Sequence, residues 1–400
     1  MNVIFITLGI LDDIKRRGIY TDLMRKFVYE GHHVFIVSPE ERRTGKHTHI
    51  IDIDGVKILK VRTLNIQKAN VVEKGIGTLL LESQYKEAIK KYLGGIHFDL
   101  ITYSTPPITF TNVVKYLKRK NPNAITYLQL KDIFPQNAID IGMFGEKSVF
   151  NRYFRRKEKA LYKASDFIGC MSPANVQYIL KHNPEVNPSK VEVAPNSVEL
   201  TNTDTSDLVA KQTVREKYGI PVDKPVFIYG GNLGKPQGID FLVNCLDNNK
   251  DRKDCHFVVV GSGTEQKKIQ SWYDTTKPKN TTVLKALPKN DYDTLVQTCD
   301  VGLIFLDHRF TIPNYPSRLL SYLENKMPVL CATDMNTDMG RIAEDNGYGY
   351  WCESVKPEDF TALVEKMLAS DRKAMGEKGY KFLKKNYLVE HTYNAMMKHF

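Results

Sequence analysis

Short apolar runs alternate with longer amphipathic segments along the first half of the chain. The apolar runs predict strands at residues 3–7, 34–37, 56–61, 100–103, 125–128, 167–171 and 191–194. Segments of helical length separate several of them, for example residues 20–30 and 78–93. Because strands covered by helices on both faces are continuously apolar, this alternation predicts an α/β fold with a parallel, doubly wound sheet.

The pattern repeats in the second half, after a polar stretch at residues 201–209 that has the composition of an interdomain linker. Strands are predicted at 226–229, 257–260, 283–284, 301–305 and 329–332, and two mostly polar helices follow Pro357. We therefore expect domains at residues 1–200 and 201–385, with a C-terminal helix at 386–400 that packs back on the first domain. Two such domains leave a cleft between the carboxyl ends of their sheets, where ligands of open α/β folds bind.

Composition agrees with a globular protein of two domains, since 400 residues with 42% hydrophobic and 26% charged side chains can bury two cores. No apolar run approaches the roughly 20 residues of a membrane span. Residues 1–11 are apolar but lack a basic leader, so we expect a first core strand and not a secretion signal. The six cysteines form no CxxC pair, which indicates reduced core residues of a cytoplasmic protein.

The positive charge is concentrated in the first half of the chain. Residues 1–200 hold 30 Lys and Arg against 20 Asp and Glu, whereas residues 201–400 hold 27 against 26. A basic face of this kind attracts an anionic membrane, a nucleic acid or a phosphorylated substrate, or is simply a solvated surface.

A glycine-rich loop follows the first strand of the second half. The apolar run 225–229 ends at Gly230 and Gly231, and a polar loop leads through Lys235 to Gly238 and a helix. Backbone N–H groups and a helix N-terminus converge on an anion in such loops, to which Lys235 adds a mobile charge. Pro236 after Lys235 excludes a Walker P-loop. A second glycine loop, at Gly261, follows the next strand but lacks the third glycine of a dinucleotide fingerprint, and both loops can also be plain tight turns.

A second motif, Pro316-Ser317-Arg318-Leu319-Leu320, has the features of a helix start, with Ser317 as N-cap or first-turn residue. The N–H groups of Arg318, Leu319 and Leu320 would then face an anion. The Arg318 guanidinium has the rigid bidentate geometry that suits a phosphate.

These motifs, in this order, resemble the C-terminal domain of family 4 glycosyltransferases with the GT-B fold. Residues 193–199 resemble the Pro-Asn-Gly-Val-Asp segment at the family's domain junction. Residues 131–136 resemble the Arg-Asp-Leu-Trp-Pro-Glu segment of a branch that includes N-acetylfucosamine transferases of surface-polysaccharide assembly, such as capsule and O-antigen. The resemblance spans roughly residues 1–390. It implies two Rossmann-like domains with parallel sheets facing across a cleft.

The resemblance also implies a donor site for a nucleotide-sugar, in which Lys235 and Arg318 contact the pyrophosphate. The other residues implied at this site are Gly18, Gly231, Asn232, Gln237, Gly238, Gly261, Ser317, Leu319, Leu320, Ser321 and Glu324.

The sequence departs from the family at several of these positions. Many members have arginine and lysine where Asn232 and Gln237 stand, and glutamates where Pro313 and Ser321 stand. A serine makes one hydrogen bond to a ribose diol, where a carboxylate makes two. Glu324, one turn on, either substitutes for the missing carboxylate or faces solvent.

Asp132 follows a predicted strand and precedes Phe134-Pro135, so we expect it at the cleft. There it would orient or deprotonate an acceptor hydroxyl, or only cap its loop. Lys235, Arg318 and helix N–H groups would stabilise the charge on the leaving diphosphate. No DxD pair follows a strand, so we expect no divalent ion and no other cofactor. The resemblance implies retention of the anomeric configuration.

The stretch 152–163 combines basic residues with aromatic ones at helical spacing. A basic amphipathic helix can lie on an anionic bilayer, which suits an acceptor carried on polyprenyl pyrophosphate. In the other interpretation the aromatic side chains face the core and the charges face water.

The sequence thus favours a cytoplasmic glycosyltransferase, peripheral at the inner membrane face. It would move a sugar, an N-acetylated hexosamine or deoxyhexosamine, from a UDP-sugar to a lipid-linked or glycan acceptor. The alternatives are a UDP-N-acetylhexosamine 2-epimerase and a catalytically weak nucleotide-sugar-binding scaffold. No recognised motif supports nucleic-acid binding.

Overall fold

The computed structural model describes residues 1–66, 71–200 and 208–400. The chain divides into two compact units. Unit 1 comprises Met1–Glu199 with Val389–Phe400, and unit 2 comprises Leu200–Leu388. Most of the polar stretch interpreted as a linker, residues 201–207, lies outside the described residues.

Unit 1 alternates strands with helices from its first residues onward. The strands are β1 (Asn2–Ile6), β2 (His33–Glu41), β3 (His49–Ile53), β4 (Val56–Thr63), β5 (Leu100–Ser104), β6 (Ile125–Leu130), β7 (Phe167–Cys170) and β8 (Val191–Val193). The helices between them are α1 (Ile19–Tyr29), α2 (Val71–Leu93), α3 (Thr111–Lys120), α4 (Gln136–Asp140), α5 (Val149–Ala164) and α6 (Pro173–His182). Within the described residues these strands form one sheet in the order β3-β4-β2-β1-β5-β6-β7-β8.

β3 is the one antiparallel strand described in this sheet, and the apolar runs did not predict it. It pairs with β4 through the turn Asp54-Gly55, whose φ angles are 52° and 81°. Two consecutive positive φ values match a type I′ hairpin turn, for which Asp-Gly is a favoured sequence. Burial alternates along β3, where Ile50 and Asp52 are exposed, which agrees with an edge strand that is only half-buried.

Unit 2 repeats the alternation with parallel strands throughout. The strands are β9 (Val226–Asn232), β10 (His256–Ser262), β11 (Thr281–Lys285), β12 (Val301–Phe305), β13 (Val329–Thr333) and β14 (Gly349–Glu353). The helices are α7 (Leu208–Lys217), α8 (Ile239–Asn248), α9 (Gln266–Thr276), α10 (Lys289–Gln297), α11 (Arg318–Glu324), α12 (Met339–Asp345), α13 (Pro357–Leu368) and α14 (Arg372–Asn386). The sheet order among described residues is β11-β10-β9-β12-β13-β14. The edge strand β14 was not among the predicted strands.

The chain ends in a helix that belongs to unit 1. This helix, α15 (Val389–Met397), follows α13 and α14, so three helices and not the two expected ones come after Lys356. The amide of Val389 donates to the carbonyl of Val198 at 3.1 Å, and Thr392 Oγ1 donates to the carbonyl of Pro195 at 3.0 Å. Met396 is fully buried in the same core as Phe27 of α1. α15 thus completes the core of unit 1.

Parallel strands place the loops that follow them at one edge of each sheet. In unit 1 this carboxyl edge carries the loops after β1, β5 and β6, and in unit 2 it carries the loops after β9, β10 and β12. Most of the residues singled out from the sequence therefore lie at these two edges. No helix in the described part of the chain is long and apolar enough to cross a bilayer.

Candidate functional site

Arg318 is the most distinctive side chain at the carboxyl edge of unit 2. It is the first residue of α11, and its Cζ lies 4.4 Å from the centroid of the Tyr229 ring. A Cβ placed on Gly231 would be 3.6 Å from Arg318 Nη2, so the guanidinium lies directly beside the glycine-rich loop. Its Nη1 is buried and has no hydrogen-bond partner among the described residues. A buried N–H group without an acceptor is costly, and an anionic ligand would satisfy it.

Tyrosine side chains hold this part of unit 2 in place. Tyr322 Oη accepts from the amide of Gly230 at 3.3 Å and can donate to the carbonyl of Ile228 at 3.2 Å. The hydroxyl of Tyr292 lies so close to Gly230 that a Cβ there would be 2.1 Å from it. The three tyrosines, at 229, 292 and 322, were not predicted as site residues. Tyr292 and Tyr322 are far from Gly230 in sequence, and no local pattern points to the contact.

The glycine-rich loop has the conformation that close approach to a ligand requires. Gly231 has φ 122°, a value that side-chain-bearing residues rarely adopt. Lys235 is exposed, and the structure gives its ammonium group no ion-pair partner among the described residues. Asn232 and Gln237, which we expected to contact a pyrophosphate, are hydrogen-bonded to each other, with Asn232 Nδ2 3.0 Å from Gln237 Oε1. They brace the loop, and Gly238 ends its 3-10 turn and begins α8.

The start of α11 differs from the expected anion-binding helix N-terminus. The amides of Leu319 and Leu320 already donate to the carbonyls of Pro316 and Ser317, at 3.3 and 3.1 Å. Ser317 occupies the N-cap position, but its side chain accepts no capping hydrogen bond, because its backbone is helical and not extended. The first turn of this seven-residue helix therefore has few free N–H groups, and its contribution to the site is the Arg318 side chain.

Ser321 stands where many family members have a carboxylate, and the carboxylate one turn later, that of Glu324, does not face solvent. Ser321 is half-buried, and Glu324 is 8% exposed, so the interpretation in which Glu324 faces solvent is wrong. Pro313 is also buried.

Gly261 supports the loop and has no room for a side chain. A Cβ on Gly261 would be 1.9 Å from the carbonyl oxygen of Gly231 on the neighbouring strand. Position 261 requires glycine because β10 and β9 approach each other closely there. The role of Gly261 is therefore to position Gly231.

The loop after β12 adds charged residues that sequence reasoning missed. The amide of Asp307 donates to the carbonyl of Pro236 at 3.0 Å, which ties this loop to the glycine-rich loop. The carboxylate of Asp307 accepts from Arg309 Nε and Nη2 at 2.8 and 2.7 Å. The segment Asp307-His308-Arg309 follows a predicted strand, which was the signal available in the sequence.

Asp132 lies at the carboxyl edge of unit 1, two residues after β6. Both carboxylate oxygens accept from Asn137 Nδ2, at 2.7 and 2.8 Å. Burial raises the pKa of Asp132 to about 6, against the opposing effect of the Asn137 and Ile133 hydrogen bonds. A carboxyl group that titrates near 6 is ionised at neutral pH and can accept a proton, which is what a general base requires.

Further polar groups surround Asp132. Thr105 Oγ1 donates to the Asp132 carbonyl at 3.1 Å and so joins the ends of β5 and β6. Burial raises the pKa of Tyr20, a hydrogen bond with Ser104 lowers it, and the charge of Asp132 raises it further. Burial also lowers the pKa of Lys131 to about 7. Thr105 and Tyr20 thus form a polar cluster with Asp132 at the end of an otherwise apolar sheet.

Gly18 precedes α1 at the same edge of unit 1. Its backbone is extended, with φ 173°, so its conformation does not require glycine. A Cβ there would meet Thr21 Oγ1 at 3.3 Å. The Gly18 amide donates to Asp22 Oδ1 at 2.9 Å.

The sequence left open whether the apolar side chains of α5 face a bilayer or the core, and the structure shows both exposed and buried ones. Leu161 and Tyr162 are buried, whereas Val149 and Phe150 are 69% and 67% exposed. Arg155, Lys157 and Lys159 form ion pairs with Glu158, Glu82 and Glu185.

Two protein-family models match the chain. The Glycosyltransferase Family 4 model matches residues 19–202, and the Glycosyl transferases group 1 model matches residues 210–382. The two matched regions correspond to units 1 and 2 and contain the two sites described above.

Curated relatives and solved structures are similar to the chain over different lengths. The probable glycosyltransferase WbjE of Pseudomonas aeruginosa is 22% identical over 65% of this chain and 64% of that protein. The putative colanic acid biosynthesis glycosyl transferase WcaI of Escherichia coli (strain K12) is 23% identical over 38% of this chain and 36% of that protein. The chain thus spans less than two thirds of the length of these relatives.

The structure of Anabaena HepE in complex with UDP superposes with a TM-score of 0.66 at 12% identity, over 100% of this chain and 99% of that one. This likeness covers both units. Residues 19–202 are thus similar to glycosyltransferase family 4 domains and residues 210–382 to glycosyl transferases group 1 domains, and the chain has the GT-B fold.

Proposed function

We propose that the protein transfers a sugar from a UDP-sugar to a lipid-linked or glycan acceptor in the assembly of a surface polysaccharide. The observation that carries the proposal is the guanidinium of Arg318, which is buried and unpaired at Nη1 and lies beside Gly231. The UDP bound in HepE and the putative role of WcaI in colanic acid biosynthesis support the choice of nucleotide and of pathway class.

The donor chemistry follows from the charges at the carboxyl edge of unit 2. Breaking the bond between the sugar and UDP leaves negative charge on the diphosphate. Arg318, packed against the Tyr229 ring, and Lys235, exposed in the glycine-rich loop, are the cations that would stabilise that charge in the transition state. In this proposal the reaction needs no metal ion, and the acceptor attacks the same face of the sugar that the diphosphate leaves, so the configuration is retained.

We assign the acceptor chemistry to the polar cluster around Asp132 in unit 1. Asp132 would accept the proton of the attacking hydroxyl, with Asn137 fixing the orientation of its carboxylate. The resemblance of residues 131–136 to the N-acetylfucosamine transferase branch is the support for an N-acetylated hexosamine or deoxyhexosamine as the sugar.

We place the enzyme in the cytoplasm at the inner face of the membrane, where a polyprenyl-pyrophosphate acceptor would be found. The exposed apolar side chains Val149 and Phe150 at the start of α5, next to the exposed Arg152, support this placement.

Calorimetric titration with UDP, GDP and a panel of UDP-sugars tests the donor site. Arg318→Ala should weaken UDP binding by about 2 kcal/mol or more, roughly 30-fold, because a charged hydrogen-bonding partner is lost. Arg318→Lys should bind UDP with an affinity between those of the native protein and Arg318→Ala, since the charge remains and the bidentate geometry is lost. Arg252→Ala is the matched control, because Arg252 pairs with Asp254 before the amino end of β10, at the opposite edge of the sheet.

Native protein that binds no nucleotide would contradict the proposal. Tight binding of UDP-sugars without transfer to any acceptor would instead favour the nucleotide-sugar-binding scaffold. Release of a 2-epimerised sugar from UDP-N-acetylhexosamine would identify an epimerase.

A further inference from the structure

A groove between α2 and α3 of unit 1 is lined mainly by cationic side chains. Two adjoining cavities of about 370 and 530 Å³ form it, and Lys86, Tyr116 and Arg119 line both. The cationic side chains that line the groove are Lys86, Lys90, Lys91, Lys115, Arg119 and Lys120.

These six cations lack ion-pair partners in the part of the chain that the structure describes. Two carboxylates also line the groove, Glu82 and Glu87. Glu82 is engaged elsewhere, since its Oε2 lies 3.2 Å from Lys157 Nζ and 2.9 Å from Asn112 Nδ2. Like charges crowded on two neighbouring helices repel one another and cost folding free energy, so the groove is suited to a polyanion.

The same face of α2 changes from cationic to apolar toward its N-terminal end. Ile76, Leu79 and Leu80 are 49%, 61% and 44% exposed. Lys90 follows Leu79 by eleven residues, and Lys91 follows Leu80 by the same interval, which returns to one face of a helix at 3.6 residues per turn. Leu79 and Lys90 are therefore about 16 Å apart along one helix face.

We propose that this surface binds an anionic lipid bilayer, with headgroup phosphates in the α2–α3 groove and Leu79 and Leu80 inserted at the headgroup–acyl boundary. Cations bind the anionic leaflet, and apolar side chains beside them bury surface in the lipid. A nucleic acid would neutralise the lysines but leave Ile76, Leu79 and Leu80 in water, so the adjoining apolar residues favour the bilayer. The proposal adds a lipid site to the membrane contact assigned above to α5, and it rests on that placement of the enzyme.

Co-sedimentation with vesicles tests the proposal without nucleotide or acceptor, so its outcome does not depend on the transfer reaction. Native protein should bind mixed phosphatidylcholine–phosphatidylglycerol vesicles and not vesicles of phosphatidylcholine alone. The triple variant Lys90→Gln/Lys91→Gln/Arg119→Gln should bind the anionic vesicles roughly 100-fold more weakly, because each basic residue near an anionic leaflet contributes about a factor of five. Leu79→Ser/Leu80→Ser should weaken the part of the binding that persists at high salt.

The matched control removes three exposed lysines from unit 2, as Lys253→Gln/Lys267→Gln/Lys279→Gln, and should bind like the native protein. Equal binding of the native protein and the groove variant to anionic vesicles would overturn the proposal. Equal binding of the native protein to vesicles with and without phosphatidylglycerol would also overturn it. If polyuridylate RNA displaces the vesicles and the double serine variant binds normally, the partner is a nucleic acid and the lipid proposal is wrong. All substituted residues are exposed and lie outside both proposed reaction sites, and the circular dichroism spectrum and thermal unfolding of each variant serve as the check that it is folded.

Discussion

Burial of the Asp132 carboxyl makes pH a direct probe of its role. The side-chain amide of Asn137 donates to both oxygens of the carboxylate, and the backbone of Ile133 also hydrogen-bonds to it. Burial favours the protonated form and raises the pKa to about 6, while the Asn137 hydrogen bonds favour the ionised form. The two effects oppose each other, so removing Asn137 has a defined direction.

We expect kcat/KM of the native enzyme to fall as the pH drops through about 6, because a protonated Asp132 cannot accept the acceptor's proton. In Asn137→Ala the ionised form loses two hydrogen bonds, so the pKa of Asp132 rises and the acid limb moves to higher pH. In Asp132→Asn this limb should disappear together with most of the activity. An acid limb that stays at the same pH in Asn137→Ala would show that another group titrates.

The residues of the proposed donor site divide into those that the sequence indicates and those that only the fold brings in. Gly231 and Lys235 lie in one short glycine-rich segment, and Arg318 opens a recognisable helix, so local pattern identifies them. Tyr229 and Tyr292 contact Arg318 or Gly230 only through tertiary packing, which leaves no periodic signal. The hydrogen bond between Asn232 and Gln237 is local, and it gives these two side chains a partner within the glycine-rich loop.

Among the elements, the strands buried on both faces were predictable, whereas of the four described edge strands β8 and β11 were predicted and β3 and β14 were not. Central strands such as β9 and β12 are continuously apolar because helices cover both faces. β3 and β14 lie at the sheet edges, where half-buried residues interrupt the apolar run. The Asp54-Gly55 turn was the available signal for β3, since it is a typical hairpin sequence between two apolar segments.

α15 stabilises unit 1 through a small number of buried side chains. Met396 is fully buried, so Met396→Ala should lower the free energy of unfolding of unit 1 by about 2–4 kcal/mol through the cavity it creates. In differential scanning calorimetry the transition of unit 1 should move to lower temperature and that of unit 2 should not. The exposed Asn394 on the same helix offers the control Asn394→Ala, which should leave both transitions in place. A shift of the unit 2 transition alone would contradict this role of α15.

For the whole molecule, the sequence predicts two α/β domains because the alternation of strands and helices occurs twice with a polar interruption. The GT-B fold agrees with this prediction and with the family resemblance. The groove between α2 and α3 was not predicted, although its lysines are visible in the sequence. Charge along one helix is usually a solvated face, and only the packing of α2 against α3 shows that cations from both helices line one groove.

The return of α15 to unit 1 means that the polypeptide passes between the units twice, once after Glu199 and once before Val389. Unit 2 is therefore an insertion in the chain of unit 1, and its two junctions are adjacent, as the 3.1 Å hydrogen bond from Val389 to Val198 shows. A protease that cuts the first junction should yield two fragments that elute together in size-exclusion chromatography and separate only in denaturant. The C-terminal fragment would remain bound to unit 1 through its last twelve residues, Val389–Phe400. Separate elution of the fragments under native conditions would show that these twelve residues do not hold the fragments together.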